Sequence, residues 1–218
     1  MSRIATCKVT DDQSRSQALQ VIDRVYYQEK NWIQAVEEEI PGDIAVRKQQ
    51  SWFLATVNDH PAGVIRLAYD PPLELPPECQ VTLNKEIDLK DLARRGRFVD
   101  IGRFMILPEY RRKFLVAIRL MGIAVREVIE RNYTHFITDV FEGEPHSPLN
   151  FHIKILGFEV IGSHLHGELN CSLTRIILTM DILQAYARMK RNRRRLYATL
   201  TEGYRGLLEE RMLVSGIK

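Results

Sequence analysis

A mixed β-sheet carrying helices on its faces is the α/β fold that this sequence predicts, and three observations lead to it. Segments in which apolar residues alternate with period two are interleaved with segments in which they recur every three or four positions. The clearest helical segment opens directly off an alternating strand, Arg97 to Ile106, through Leu107, Pro108, Glu109 and Tyr110. With 218 residues, 45% apolar and 27% charged, the chain can bury a core of ordinary size.

From the start, Ile4 to Thr10 alternates as a short strand, and Asp11-Asp12 can cap a helix from Gln13 to Lys30 whose stripe is Leu19, Ile22, Val25 and Tyr26. Pro41-Gly42 breaks the chain. Ser51 to Val57 and Ala62 to Tyr69 then read as a hairpin, joined by a turn of several residues between Asn58 and Gly63. Pro71, Pro72, Pro76 and Pro77 preclude regular structure, and Leu83 to Arg95 is a polar connection with a short helix around Asp88 to Arg94. After the strand to Ile106 comes a helix in which Phe114, Ile118, Met121, Val125 and Val128 face one way. Thr134 to Phe141 is rich in β-branched and aromatic residues and reads as the next strand. A loop, Glu142 to His146, leads to a helix from Pro148 to Ile155 that Ser147 caps and Gly157 ends. Phe158 to His164 and Thr174 to Met180 are the last strands. From Asp181 on the pattern is helical, with Ile182, Tyr186, Met189, Leu196 and Leu200 on a stripe that Arg193 interrupts. The expected organisation is one domain over 1–182, with 183–218 as a helical extension packed on it.

Composition narrows the function. The net charge of +3 is uneven: Arg188, Lys190, Arg191, Arg193, Arg194 and Arg195 carry +6 within eight residues, so the remainder is net −3. Such a local basic stretch suits an acidic protein, an anionic membrane surface or plain solvation. Without a base-reading motif or aromatic platform beside it, specific nucleic-acid binding is not expected. Cys7, Cys79 and Cys171 are scattered and odd in number, which fits reduced thiols in the cytoplasm. No apolar run reaches the length of a membrane span, and the polar start does not read as a signal peptide.

Several residues stand out by chemistry. In the strand before Ile106, period two puts Asp100 on a face with Gly102, Phe104 and Ile106, and Arg103 on the other with Ile101 and Met105. Two charges in an otherwise apolar strand are costly unless they pair structurally or serve a site. Arg111, Arg112 and Lys113 at a helix start oppose its dipole and need an anionic partner or full solvation. Asp139, Glu142 and Glu144 gather at the carboxyl end of the following strand, where open sheets bind ligands, although loop carboxylates are commonly plain surface. His152 reads as a packed or a catalytic histidine. His164 and His166 with Cys171 lack a fourth ligand, so no metal site is expected.

The segment from Ile106 to Ala117 resembles motif A of the GCN5-related N-acetyltransferase superfamily, V-x-P-E-Y-R-G-x-G-I-G, whose glycines let a coenzyme A pyrophosphate approach the backbone. Ile106, Pro108, Glu109, Tyr110, Arg111 and Leu115 fit it, but Arg112, Phe114 and Val116 occupy the glycine positions. Members that draw the acyl group from an acyl carrier protein do without that cradle, and the chain is similar to them. Asp100-Ile-Gly-Arg103-Phe104 resembles the E-x-S-R-F strand of acyl-homoserine lactone (autoinducer) synthases and long-chain N-acyl amino acid synthases, with aspartate for glutamate and glycine for serine. Tyr26, Tyr27 and Trp32 are similar to an aromatic segment of the latter. Leu149 to Phe158 looks like the closing F-Y-x-x-L-G-F element, with Ile153 where a tyrosine often protonates the leaving thiolate.

The resemblance covers roughly residues 4–182. It implies an acetyltransferase-like, mostly antiparallel sheet and an N-acyltransferase that moves a long-chain acyl group from a carrier-protein thioester, in preference to coenzyme A, to a small amine or amino acid. No bound cofactor or metal is implied; the acyl-phosphopantetheine thioester is substrate. Asp100 would orient or deprotonate the amine, Arg103 would anchor a carboxylate or shape the pocket, and His152 would stand in as general acid. Ile106 and Leu107 would hold the oxyanion through backbone N–H groups, with Arg111, Arg112 and Lys113 receiving the donor. Trp32, Phe104, Asp139 and Glu142 would line the acyl or acceptor pocket. A coenzyme A-dependent transferase and a non-catalytic acyl or carrier-binding module are the alternatives.

Overall fold

The structure, a computed structural model, describes residues 2–217. Hydrogen bonding orders eight strands as β1 (Ile4–Lys8), β2 (Gln50–Val57), β3 (His60–Tyr69), β5 (Phe98–Ile106), β6 (His135–Phe141), β8 (Arg175–Asp181), β7 (Glu159–His164) and β4 (Thr82–Leu83). β5 and β6 run parallel, while β1 with β2, β2 with β3, β6 with β8, β8 with β7 and β7 with β4 are antiparallel. The sheet is therefore mixed and mostly antiparallel, with helices among its strands. β4 is a two-residue edge strand at the start of the stretch expected to be a polar connection, and two residues give too short a pattern to read.

The chain divides into two compact units, and β5 passes from one to the other. The first holds everything up to Tyr69 together with Ile101–Glu127. Its helix α1 (Asp12–Ile22) is capped by Asp11, whose carboxylate accepts from the Ser14 N–H while the Ser14 hydroxyl faces the Asp11 N–H, and it continues as wider turns from Asp23 to Glu29. The β2–β3 hairpin turns on two residues, Asn58 and Asp59, both at positive φ (50° and 66°). That is the two-residue turn whose twist matches paired strands, shorter than the turn expected from sequence. At Gly63 a Cβ would collide with the Ile106 side chain and lie 2.7 Å from the Met105 carbonyl oxygen, so this glycine lets β3 lie against β5. Helix α3 (Phe114–Glu130) begins here and runs into the second unit; Ile118, Met121, Val125 and Val128 are buried as the periodicity predicts, but Phe114 is exposed. Glu127 on α3 ties β1, β2 and β3 together, accepting from Lys8 at 2.9 Å, Ser51 at 2.6 Å and Tyr69 at 2.8 Å.

The second unit comprises Asp70–Asp100 and the chain from Val128 on. Asp88 caps α2 (Leu89–Arg94), and Leu92 packs with Phe98, Ile161 and Ile177 in a core on one sheet face. The helix expected over Pro148–Ile155 is a short α4 (Leu149–Phe151) widened into π-type turns at His152–Leu156 and closed by Gly157 at φ 86°. Pro148, not Ser147, occupies its N-cap position, although the Ser147 hydroxyl reaches the Leu149 N–H at 3.4 Å. The C-terminal stretch is three helices, α5 (Ile182–Asn192), α6 (Arg194–Leu200) and α7 (Arg205–Val214), with Asp181 capping the first through the Gln184 N–H. Tyr186, Tyr197, Tyr204, Leu208 and Met212 are among their buried residues, and burial raises the phenols of Tyr186 and Tyr197 to about 12. Among the described residues no helix is long and apolar enough to cross a membrane.

Candidate active site

In the first unit, the strand that leads to motif A does not keep strict alternation. Arg103 sits at φ 52°, a left-handed conformation that costs a non-glycine residue about 1–3 kcal/mol. The period of two therefore breaks at Arg103, and the faces assigned to Phe104, Met105 and Ile106 by counting do not carry through it: Met105 is buried, Phe104 and Ile106 half-buried. The Arg103 guanidinium forks onto Glu39, Nε to Oε2 at 2.7 Å and Nη2 to Oε1 at 3.4 Å, and stands 5.7 Å from the Tyr26 ring centroid. Tyr26 meets Trp32 edge-on at 5.3 Å. Arg103, Glu39, Tyr26 and Trp32 thus form one wall, of which Glu39 escaped the sequence reading because no periodicity links an irregular loop to a strand 64 residues away. Glycine at position 102 has a local reason: the Arg66 guanidinium lies 2.8 Å from where a Cβ would be.

At the head of α3 part of the backbone is engaged within the chain itself. The N–H groups of Tyr110, Arg111, Lys113 and Val116 donate to the carbonyls of Leu107, Pro108, Tyr110 and Lys113. Leu107 N–H donates to Ala62 at 2.9 Å and its side chain is buried, which corrects the expectation that this amide is open to an oxyanion. Arg111 is likewise engaged, bidentate on Glu29 and bonded to the Ile106 carbonyl at 3.1 Å. Lys113 lies 5.3 Å from the Tyr110 ring centroid. Arg112, Phe114 and Leu115 are exposed, the last two at 52% and 49%, whereas Val116 is wholly buried.

The second unit holds Asp100, Asp139, Glu142 and His152. Asp100 pairs with Ile137 at the end of the β5–β6 ladder, and Asp139 follows two residues later, so Asp100 and Asp139 share one face of the sheet. On the same face the registers Phe141↔Arg175 and His164↔Arg175 add Arg175 and His164. Asp139 Oδ2 receives His164 Nε2 at 2.9 Å and lies 3.5 Å from Arg175 Nη1. Burial pushes the Asp139 carboxyl up, but the His164 hydrogen bond and the Arg175 charge outweigh it and hold the group below the usual carboxylate range. His164 Nδ1 faces the His166 carbonyl at 2.8 Å, so both ring nitrogens point at oxygen acceptors. Arg175 is buried, donates to the Leu169 carbonyl, lies 4.8 Å from the Phe141 ring centroid, and leaves its Nε–H without a partner. A buried unpaired donor costs about 1–3 kcal/mol. His164 was weighed in the sequence only as a metal ligand; among the described residues no group of three or more candidate ligands gathers.

His152 is 4% exposed, its Nδ1 bonded to the Pro148 carbonyl at 2.9 Å and its ring edge-on to Phe158 at 4.9 Å. Burial lowers its pKa, so the ring is neutral near pH 7 and carries no surplus proton. This is the packed histidine of the two sequence readings. Glu142 is exposed in the loop after β6, and among the described residues no bond joins it to the Asp139 cluster.

The profile of the family described as N-acyl amino acid synthase FeeM matches residues 17–173. Among solved structures, FeeM, an N-acyl amino acid synthase from uncultured soil microbes, superposes with a TM-score of 0.61 at 13% identity, covering 86% of this chain and 95% of that one. NAA60 of Arabidopsis thaliana in complex with acetyl-CoA gives a TM-score of 0.57 at 14% identity over 83% and 99% of the two chains. The aminoglycoside 6'-N-acetyltransferase of Enterococcus faecium gives 0.56 at 13% identity over 83% and 97%. No protein of curated function matches the chain in sequence.

Proposed function

This chain belongs to the N-acyl amino acid synthase family and is an N-acyltransferase, and from that premise we propose that it draws a long-chain acyl group from a carrier-protein thioester and joins it to the amino group of an amino acid or related amine. The observation that carries the choice of donor is the head of α3. A coenzyme A pyrophosphate needs open amides and no side chain in its way. Here four amides are spent in turns, Phe114 projects into solvent, and Val116 is packed inward. An exposed Phe114 and Leu115 beside Arg112 and Lys113 suit the apolar and acidic surface of a carrier protein better than a free dinucleotide.

In the proposed chemistry a neutral amine attacks the thioester carbonyl carbon, the C–S bond breaks, and the thiolate leaves as the nitrogen loses a proton. Asp100 is the proposed acceptor of that proton, directly or through water. Arg103, locked to Glu39, shapes the pocket with Tyr26, Trp32 and Phe104. His152 keeps a packing role, and the proposed assignment of the oxyanion to Ile106 is separated from Leu107, whose amide is engaged. The catalytic body is proposed to be 1–182, with the helices from 183 on as an extension that helps dock the acidic partner or an anionic membrane. Three free cysteines support a reducing, cytoplasmic setting.

The test is a donor comparison: dodecanoyl carrier protein against dodecanoyl coenzyme A, with an equimolar mixture of the twenty amino acids and mass spectrometry of the products. We expect N-dodecanoyl amino acid from the carrier-protein donor at least tenfold faster. Equal or faster turnover of the coenzyme A thioester overturns the donor assignment and leaves the N-acyltransferase intact.

A further inference from the structure

The Asp139 cluster has a feature that neither the fold nor the proposed chemistry uses. Its carboxylate is asymmetric. Oδ2 takes both His164 and Arg175, whereas no hydrogen bond reaches Oδ1 among the described residues, and the side chain is 38% exposed. The partners behind it are not exposed: His164 and Arg175 are each about nineteen-twentieths buried. A buried guanidinium with an unpartnered Nε–H and an imidazole with both nitrogens on acceptors fix one oxygen and leave the other without a hydrogen bond on a side chain that is partly exposed. Asp139 also lies two residues past the last β5–β6 pair, Asp100↔Ile137, on the same face as Asp100. Strand spacing puts the Cα atoms of Asp100 and Asp139 roughly 8 Å apart, the span of one small amine between two carboxylates.

We infer that Asp139 Oδ1 seats the acceptor, receiving an N–H of its amino group, and that His164 and Arg175 are positioning residues that aim this carboxylate. The inference rests on the N-acyltransferase reading and adds a named acceptor site to it. Asp139 is held ionised, so it is a weak base; it fixes the amine, and Asp100 remains the proton acceptor. The Arg175 charge behind the carboxylate also opposes a second cation, which favours the neutral amine that attack requires.

Asp139→Asn is the primary test. The amide oxygen would turn to His164 and Arg175, presenting an NH₂ donor to the amine where an acceptor is needed. Losing a charge-assisted hydrogen bond should raise the acceptor KM by about tenfold or more, with the donor KM within about twofold of the parent. His164→Ala should produce a weaker rise of the same kind, and His164→Gln, whose amide can still donate to Oδ2, should restore most of it. This pair also keeps the inference testable if Asp139→Asn does not fold. An unchanged acceptor KM, or donor and acceptor KM rising together, overturns it. A binding readout separates this inference from the transfer reading: saturation-transfer NMR of the unmodified enzyme and Asp139→Asn with the same twenty amino acids. An amino-acid signal that the parent gives and the variant does not, while no N-acyl product ever forms, supports the acceptor site and sinks the transfer reading. The same signal from both proteins sinks the acceptor site, whatever the turnover.

Discussion

Two arginine–carboxylate clusters can be set side by side: Arg103–Glu39 in the first unit and Arg175–His164–Asp139 in the second. In the first, both guanidinium contacts and both carboxylate oxygens are matched, and the side chains are 9% and 12% exposed. In the second, the arginine is as deeply buried yet keeps an unpaired Nε–H, and one carboxylate oxygen takes no hydrogen bond among the described residues. Matched charges in a protein interior define shape; unmatched ones at the boundary leave room for a ligand. On the proposed reading the difference assigns Arg103 to the shape of its wall and Arg175 to aiming the Asp139 carboxylate.

The sharpest way to break that comparison is to empty each pair in turn. Glu39→Ala leaves Arg103 buried without its counter-charge and should cost about 3–5 kcal/mol, read as a fall in the urea midpoint at unchanged slope. Adding Arg103→Met to that variant should recover more than half of the loss, because two charges leave together. Arg175→Met should cost only about 1–2 kcal/mol, since the arginine already carries an unpaired donor and methionine fills similar volume. Equal losses at the two arginines would erase the distinction.

How much of this was legible in the sequence follows from the same contrast. Strands and helices announced themselves through period, and Asp11, Asp88 and Asp181 were placed as caps or at helix starts by their chemistry. Asp100 stood out because a charge interrupts an apolar strand, and Asp139 because it gathers with Glu142 and Glu144 at a strand's carboxyl end. Their partners did not: Glu39 lies in an irregular loop, and His164 and Arg175 meet Asp139 only through the β6–β8–β7 register, which no local window contains. The turn at Arg103 was also invisible, because alternation assumes that no residue leaves the β region. Where the resemblance supplied a role, as for the Leu107 amide, it could not tell that the Ala62 carbonyl already holds that hydrogen.

Acid sharpens the comparison at smaller cost. The folded-state pKa of Asp139 is lowered, so the native protein binds fewer protons here than the unfolded chain does between that depressed value and the ordinary one near 4. Its contribution to stability is thus fully present above the unfolded pKa and is lost as pH falls through the folded value. Asp139→Asn should remove that part of the acid limb, flattening stability against pH below about 4 while leaving the curve above about pH 5 parallel to the parent. An unchanged acid limb, measured by urea unfolding at half-unit steps, would mean that His164 and Arg175 do not hold the carboxylate ionised.

The smallest expected effect on stability lies at the surface, where the contrast between matched and open charge recurs. Arg111 is clamped by Glu29, but the Arg112 side chain is exposed with no bonded partner among the described residues, and so are the side chains of Arg191, Arg194 and Arg195. Their neighbours differ in the same way: Arg188 bonds the Gly157 carbonyl, Arg193 the Lys154 carbonyl, and Lys190 pairs with Glu209 at 2.8 Å. Reversing Arg191, Arg194 and Arg195 to Glu should therefore move stability by no more than about 0.5 kcal/mol per site, because solvated charges contribute little. If these arginines meet an acidic carrier protein, the same variant should weaken carrier binding and flatten its salt dependence, with turnover of dodecanoyl pantetheine nearly intact. Arg112→Glu is the counterpart at the head of α3, beside exposed Phe114 and Leu115. A larger loss of carrier-dependent turnover from that single change than from the triple one would place docking at the head of α3, and the reverse would place it on the C-terminal helices.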